Sequence, residues 1–227
     1  MRLITPVDDE LYGLASTAGK LGRAAKLLDR LADARRADPT DAEAAARYAL
    51  ALMAVLPSVG VEFAAHARFT ATIEAFGDVL SLDPEHWLAR YGRARLRALI
   101  PSSYGTYSVQ MSDELASARD DLDHLRTRQA GHAPEPYFVS AHALAAVVDH
   151  LAGDPAPAGR PALLGALAAC PRVPVRLPAL GAVLCEPLAT LYAGSADPER
   201  HAIGEVMSAL YGDQAVVAAV RRQPVRR

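Results

Sequence analysis

Apolar residues recur every three or four positions along most of the chain, which is the spacing of one face of an α-helix. The first clear stripe runs from Lys20 to Ala37 and stops at Asp38-Pro39, because a proline disfavours helical backbone in the residue before it. Nowhere does the sequence show the strict apolar–polar alternation of a half-buried strand. The pattern therefore predicts an all-α protein.

Further helices are predicted to follow at short intervals. Thr40 and Glu43 have the spacing of a capping box, so Thr40 is expected to begin the second helix, which stops near Pro57. Ser112 is expected to cap a later helix, after one that ends before Pro101. The predicted helical ranges up to residue 152 are 20–37, 40–57, 60–83, 87–100, 112–128 and 136–151.

The character of the chain changes after Gly153, where seven prolines fall between Pro155 and Pro187. Such a density predicts a linker to about Arg160, followed by shorter helices, one of them kinked or split by Pro187. These shorter helices are expected near 161–169, 178–193, 197–211 and 213–220. We therefore expect a helical domain over 1–152, and a Pro-rich linker and irregular helical cap over 153–227 that packs on it.

Two helix ends look alike, and they suggest a repeat. Leu31–Pro39 and Phe76–Pro84 each place a bulky apolar residue eight positions before the proline of an Asp-Pro pair. The stretch LDPEHWLARYGRARL then brings Trp87, Tyr91 and Gly92 onto one helix. In these features residues 8–152 resemble the tetratricopeptide repeat (TPR) family at the level of the fold, with 45 residues between the two prolines rather than the family's 34.

The resemblance implies a TPR-like right-handed superhelix of antiparallel helix pairs, in which the first helix of each pair lines a concave groove. It also implies a non-catalytic adaptor that binds a peptide or protein there. Arg90, Arg93 and Arg97 share one face of such a first helix, and Arg47 on the preceding first helix is expected to join them. Guanidinium groups hold carboxylates by bidentate bonds, so we expect a partner with an acidic segment or a C-terminal carboxylate. A solvated charged face is the other interpretation of these arginines.

The segment 101–112 is longer than a turn between paired helices needs, and long loops are often functional. It carries Tyr104 and Tyr107, which are expected to form an aromatic lid at the groove or, alternatively, to pack the loop onto neighbouring helices. A pocket under this loop is the basis of a second hypothesis. On that view the chain is a small enzyme or biosynthetic accessory protein that holds a small ligand, possibly a metal.

Catalytic and metal-binding signals are sparse. The chain lacks a Gly-x-Ser-x-Gly elbow, a P-loop and a GxGxxG motif, so the sequence favours a protein that is not an enzyme. Di-iron bundles repeat Glu-x-x-His on two helices, whereas here one Asp-x-x-His within a predicted helix, Asp121 with His124, has this spacing, and we expect neither metal nor cofactor. If a metal is bound, the first candidate ligands are Glu62, His66, Asp121 and His124.

Charge and composition limit the classes of partner that the sequence predicts. The chain has 24 basic and 26 acidic residues, a net charge of −2, which does not favour nucleic acid. Its two cysteines form no CxxC pair, so a zinc site or disulfide framework is not expected. Apolar runs stay well short of the roughly 18 residues of a membrane span. We expect a cytoplasmic protein without nucleic-acid or membrane partners.

Overall fold

The computed structural model describes residues 1–58, 63–103, 108–154 and 159–221, and within these ranges the protein is all-α. The helices are α1 Pro6–Lys20, α2 Ala24–Ala37, α3 Ala42–Val55, α4 Phe63–Leu82, α5 Trp87–Ser103, α6 Ser108–Gln129, α7 Phe138–Leu151, α8 Gly159–Ala169, α9 Gly181–Gly194, α10 Asp197–Tyr211 and α11 Asp213–Arg221. A short 3-10 turn, Leu56–Ser58, follows α3.

The helix ends show which local signals decide the boundaries. Both Asp-Pro stops are confirmed, because α2 ends at Ala37 and α4 at Leu82. The predicted cap of the next helix is wrong by one residue. Asp41, not Thr40, precedes α3, and its side chain accepts hydrogen bonds from the amides of Glu43 and Ala44. A carboxylate there also interacts favourably with the positive end of the helix dipole.

Two prolines that were predicted to end or split a helix lie within continuous helices. Helix α5 continues past Pro101 to Ser103, and α6 begins at Ser108 rather than at Ser112. The expected loop of 101–112 is therefore wrong in its bounds, and Ser112 lies inside α6. Likewise α9 is continuous through Pro187, so the expected split does not occur. Proline removes one backbone hydrogen bond, but its fixed φ is compatible with helical geometry.

The chain folds as two compact units, Met1–Asp121 and Leu122–Arg227, with the division inside α6. In the first unit α1 packs on α2 and α3, and α3 also packs on α2, α4 and α5. The largest fully buried side chains of its core are aromatic and lie on α4 and α5. Trp87 stacks on Tyr91 with ring centroids 4.9 Å apart, and the ring of Phe76 packs against Gly92.

In the second unit α9 contacts α7, α10 and α11, while α8 packs on α7 and α10. The core residues are mostly aliphatic and include Leu163, Leu188, Val206 and Met207. Asp149 at the end of α7 accepts a hydrogen bond of 2.9 Å from the amide of Gly159, the first residue of α8. The division between the two units follows Asp121, whereas the composition of the chain changes at Gly153. The domain boundary expected at residue 152 stays a prediction.

Candidate functional site: the arginine cluster around Asp121

The arginines expected to line a groove come together in the first unit. Arg90, Arg93 and Arg97 are spaced three and four residues apart on α5, so they share a face of that helix. Glu114 and Asp121 are seven residues apart on α6 and share a face in the same way. Helix α5 meets α6 in reverse order, with Arg97 beside Glu114 and Arg90 beside Asp121. We call these five residues the arginine cluster.

Asp121 is the centre of the cluster, and its side chain is only 3% exposed. Arg93 binds it bidentately, with Nε 2.8 Å from Oδ2 and Nη2 2.6 Å from Oδ1. Arg90 donates from Nη1 to Oδ1 at 3.2 Å. Two guanidinium groups therefore satisfy a carboxylate that would be costly to bury alone.

The outer arginines differ in how firmly they are held. Arg90 is fixed a second time, because its Nε donates to the carbonyl oxygen of Pro84 at 2.9 Å. Arg97 is held more loosely, with Nη1 3.5 Å from Oδ2 of Asp121 and Nε 3.2 Å from Oε2 of Glu114. Arg97 is thus the arginine that can turn toward another anion at the smallest cost to the rest of the cluster.

The charges in the cluster do not cancel. Three guanidinium groups face two carboxylates, which leaves one positive charge in excess. The arginine side chains keep between 16% and 20% of their surface exposed. Charges that are partly withdrawn from water interact more strongly with an incoming anion than fully solvated ones do. The cluster can therefore attract and orient an anionic group.

Three further residues were expected at the groove, namely Arg47, Tyr104 and Tyr107. Arg47 lies on α3, and its Nε is 3.0 Å from Oε1 of Glu43 one turn earlier on the same helix. No contact joins Arg47 to the arginine cluster in the residues that the structure describes. Tyr104 and Tyr107 lie outside the described residues.

Of the four candidate metal ligands, the structure describes the side chains of Asp121 and His124. Both oxygens of Asp121 are taken by arginines, which disfavours a cation there. His124 follows on the next turn of α6, whereas Glu62 and the side chain of His66 lie outside the described part. Among the described residues no three His, Cys, Asp or Glu side chains are grouped so that they could hold a metal ion.

One buried histidine has a structural role that the sequence did not reveal. The Nδ1 atom of His86 accepts a hydrogen bond of 3.3 Å from the amide of Ala89 in the first turn of α5. The backbone beside it pairs with the start of the chain, because Arg2 donates to the carbonyl of Glu85 and accepts from the amide of Trp87. Burial, followed by the charge of Arg2, lowers the pKa of His86. The ring is therefore a neutral acceptor.

The second unit contains an open cavity of about 620 Å³. Its lining includes small side chains of α9 and α11, such as Ala182 and Ala215. Cys185 and Tyr211 also line it. The hydroxyl of Tyr211 lies 3.2 Å from Oγ of Ser140, and burial raises the pKa of Tyr211. Sequence reasoning missed this cavity, since facing small residues on distant helices leave no local signal.

The pairing of α5 with α6 did leave a signal in the sequence. In two antiparallel helices, moving forward along one corresponds to moving back along the other, so residues that face each other have numbers with a constant sum. The pair Arg97 and Glu114 has the same sum as the pair Arg90 and Asp121. Matching these spacings across the predicted turn would have identified Asp121 as the partner of the arginines.

Within the described ranges, none of the helices has the length and apolar character needed to cross a membrane. The chain matches no protein-family model, no curated protein and no solved structure.

Proposed function

We propose that the chain is a non-catalytic adaptor whose first unit binds an acidic segment or C-terminal carboxylate of a protein partner at the arginine cluster. The observation that carries the proposal is the excess positive charge of the cluster. Arg93 is committed to the fold by its bidentate bond to Asp121, and Arg97 is the group that turns toward the partner.

The packing of the first unit supports a TPR-like arrangement of antiparallel pairs. Taking α1, α3 and α5 as first helices, each contacts the next first helix of the stack, α1 with α3 and α3 with α5. The second helices α2 and α4 each pack on the helices before and after them. In such an arrangement a partner binds along the first helices, and α5 carries the arginines.

The test is a binding titration with labelled acidic peptides that end in a free carboxylate, followed by fluorescence anisotropy. In Arg97→Gln the carboxylate of Asp121 keeps Arg90 and Arg93, so the variant is expected to remain folded. Losing one charged hydrogen bond should weaken binding by about 1.5–3 kcal/mol, roughly 10- to 150-fold in Kd.

The matched control is Arg36→Gln. Arg36 is 75% exposed on α2 and is paired there with Asp33, so this variant removes one positive charge without touching the cluster. Its affinity should equal that of the wild type at physiological salt, where a remote surface charge is screened. Equal affinities for all three proteins, or no binding of the peptides by the wild type, would contradict the proposal.

The alternative is a small enzyme or biosynthetic accessory protein with a small-molecule ligand. The feature that favours it is the cavity of about 620 Å³ in the second unit, which is within the usual size range of ligand pockets. The pocket expected under segment 101–112 depends on residues 104–107, which lie outside the described part of the chain. A ligand that co-purifies with the protein at stoichiometric amounts would favour this alternative over the adaptor.

A further inference from the structure

The two carboxylates of the arginine cluster differ in how they are held. Asp121 is only 3% exposed and accepts hydrogen bonds from both Arg93 and Arg90. The side chain of Glu114 is 37% exposed, and its Oε2 atom lies 3.2 Å from Nε of Arg97. Asp121 therefore belongs to the fold, whereas Glu114 can turn into solvent without leaving a deeply buried carboxylate unpaired.

The contact between Glu114 and Arg97 is an ion pair without an aligned hydrogen bond. In the described part of the chain, neither Oε2 of Glu114 nor Nε of Arg97 has a hydrogen-bond partner, and both atoms are shielded from water. Such a donor is costly, because it has lost its water without gaining a well-placed acceptor. A carboxylate that approached Nε with better geometry would remove this cost, but Glu114 already occupies the position.

We propose, on the basis of the adaptor function proposed above, that Glu114 is an internal competitor for the carboxylate of the partner. In the free protein Glu114 covers Nε of Arg97. When a partner binds, one of its carboxylates takes this place and Glu114 turns into solvent. Arg90 and Arg93 stay on Asp121 throughout, so the exchange leaves the centre of the cluster intact.

This exchange makes Glu114 a residue that determines specificity. The incoming carboxylate replaces one that is already there, so Arg97 gains no additional charge contact. Glu114 also remains close to the bound carboxylate and repels it, since like charges placed side by side oppose binding. A lone carboxylate is therefore a weak ligand, and the site favours partners whose further acidic residues interact with the excess positive charge of the cluster.

The test is a titration of variants with the same labelled acidic peptides, followed by fluorescence anisotropy. Glu114→Gln keeps the size of the side chain and removes its charge, so its Kd should be about tenfold lower than that of the wild type. Because this side chain reaches solvent, the melting temperature should stay the same.

The matched control is Asp113→Asn, at an exposed position of α6. It removes the same charge one residue away, about 100° around the helix from Glu114. Its Kd should equal that of the wild type. A gain in affinity as large as that of Glu114→Gln would show that the net charge of the helix matters and that the contact with Arg97 does not.

A double-mutant cycle tests whether Glu114 acts through Arg97. In the background of Arg97→Gln the competitor has no guanidinium group to occupy, so adding Glu114→Gln should leave the Kd of Arg97→Gln unchanged. A general effect of charge would instead give the same gain in both backgrounds.

The outcomes separate this inference from the function on which it rests. Unchanged or weaker binding by Glu114→Gln, or a gain that persists without Arg97, would overturn the competitor role. If Arg97→Gln still loses affinity in that case, the adaptor proposal stands and only the role of Glu114 is wrong. If neither the wild type nor Glu114→Gln binds the peptides, both proposals fail.

Discussion

Gly92 lies where the backbone of α5 closely approaches the ring of Phe76 on α4. A Cβ atom at this position would lie 2.7 Å from the ring of Phe76, which is only 1% exposed. Contacts under 3 Å are not tolerated between carbon atoms, so the ring or the helix has to shift when a methyl group is added. The glycine therefore allows the aromatic core of the first unit to pack against the backbone of α5.

The measurement is the free energy of unfolding of Gly92→Ala in urea. Alanine is intrinsically about 1 kcal/mol better in a helix than glycine, but we expect a net loss of about 1–3 kcal/mol because of the contact with Phe76. Gly77→Ala on α4 is the control, because its nearest new contact is an ordinary 3.8 Å to a guanidinium nitrogen of Arg93. This control should be neutral or stabilising. A Gly92→Ala protein at least as stable as Gly77→Ala would contradict the packing.

At the residue scale, His142 is also expected to make the stability of the protein depend on pH. Burial, followed by the charge of Arg126, lowers the pKa of His142 from 6.5 to about 4. Between these values the unfolded chain binds a proton at this site and the folded chain does not. The contribution of neutral His142 to stability is therefore complete above pH 6.5 and is lost as the pH falls toward 4.

The test compares unfolding free energies from pH 7.5 to 4.5 for the wild type and His142→Gln, which keeps a neutral polar group. The variant should lose less stability over this range. His201, which is exposed and has its Nε2 3.2 Å from Oε1 of Glu205, offers the control variant His201→Gln. Identical pH profiles for the wild type and His142→Gln would show that His142 does not titrate differently in the folded state.

At the scale of helices, the connection from α7 to α8 depends on a capping interaction between distant positions. The buried carboxylate of Asp149 accepts from the amide of Gly159 and satisfies one of the free amides at the start of α8. Gly159 is required in turn, because a Cβ there would lie 2.7 Å from that carboxylate and 3.1 Å from the backbone of Ala146.

Asp149→Ala should therefore cost about 1–3 kcal/mol in the free energy of unfolding, since it leaves a buried amide without its acceptor. Asp149→Asn keeps an acceptor oxygen and should cost less. Asp120→Ala, at an exposed position of α6, is the control and should change stability by less than about 0.5 kcal/mol. If the alanine and asparagine variants at 149 are equally stable, the cap contributes nothing.

At the scale of the whole molecule, the sequence predicts the fold class because helical periodicity and Asp-Pro stops act locally. The ends of α2 and α4 and the burial of Phe76 follow from signals within a few residues. Prolines were less reliable, since Pro101 and Pro187 are accommodated within helices. Helix α1 was not among the predicted ranges, because its large apolar residues Val7 and Leu14 face outward and its buried face is short.

The candidate site was predictable only in part. Periodicity placed Arg90, Arg93 and Arg97 on one face, but their partner Asp121 lies about thirty residues away and is found only when the spacings of the two helices are matched across the turn. The same limit applies to the cavity in the second unit. The sequence was sufficient to predict the three arginines. The structure adds the buried carboxylate of Asp121, which fixes Arg93 and leaves Arg97 loosely held.

The central claim is that the arginine cluster recruits a protein partner, and quantitative affinity capture from the native host tests it most directly. The baits are the wild type, Arg97→Gln and Arg36→Gln, with mass spectrometry of both proteins and small molecules. We expect proteins with an acidic segment or acidic C-terminus on the wild type and Arg36→Gln, and their loss of about tenfold or more from Arg97→Gln. Identical protein sets on all three baits, or a stoichiometric small molecule in their place, would contradict the account.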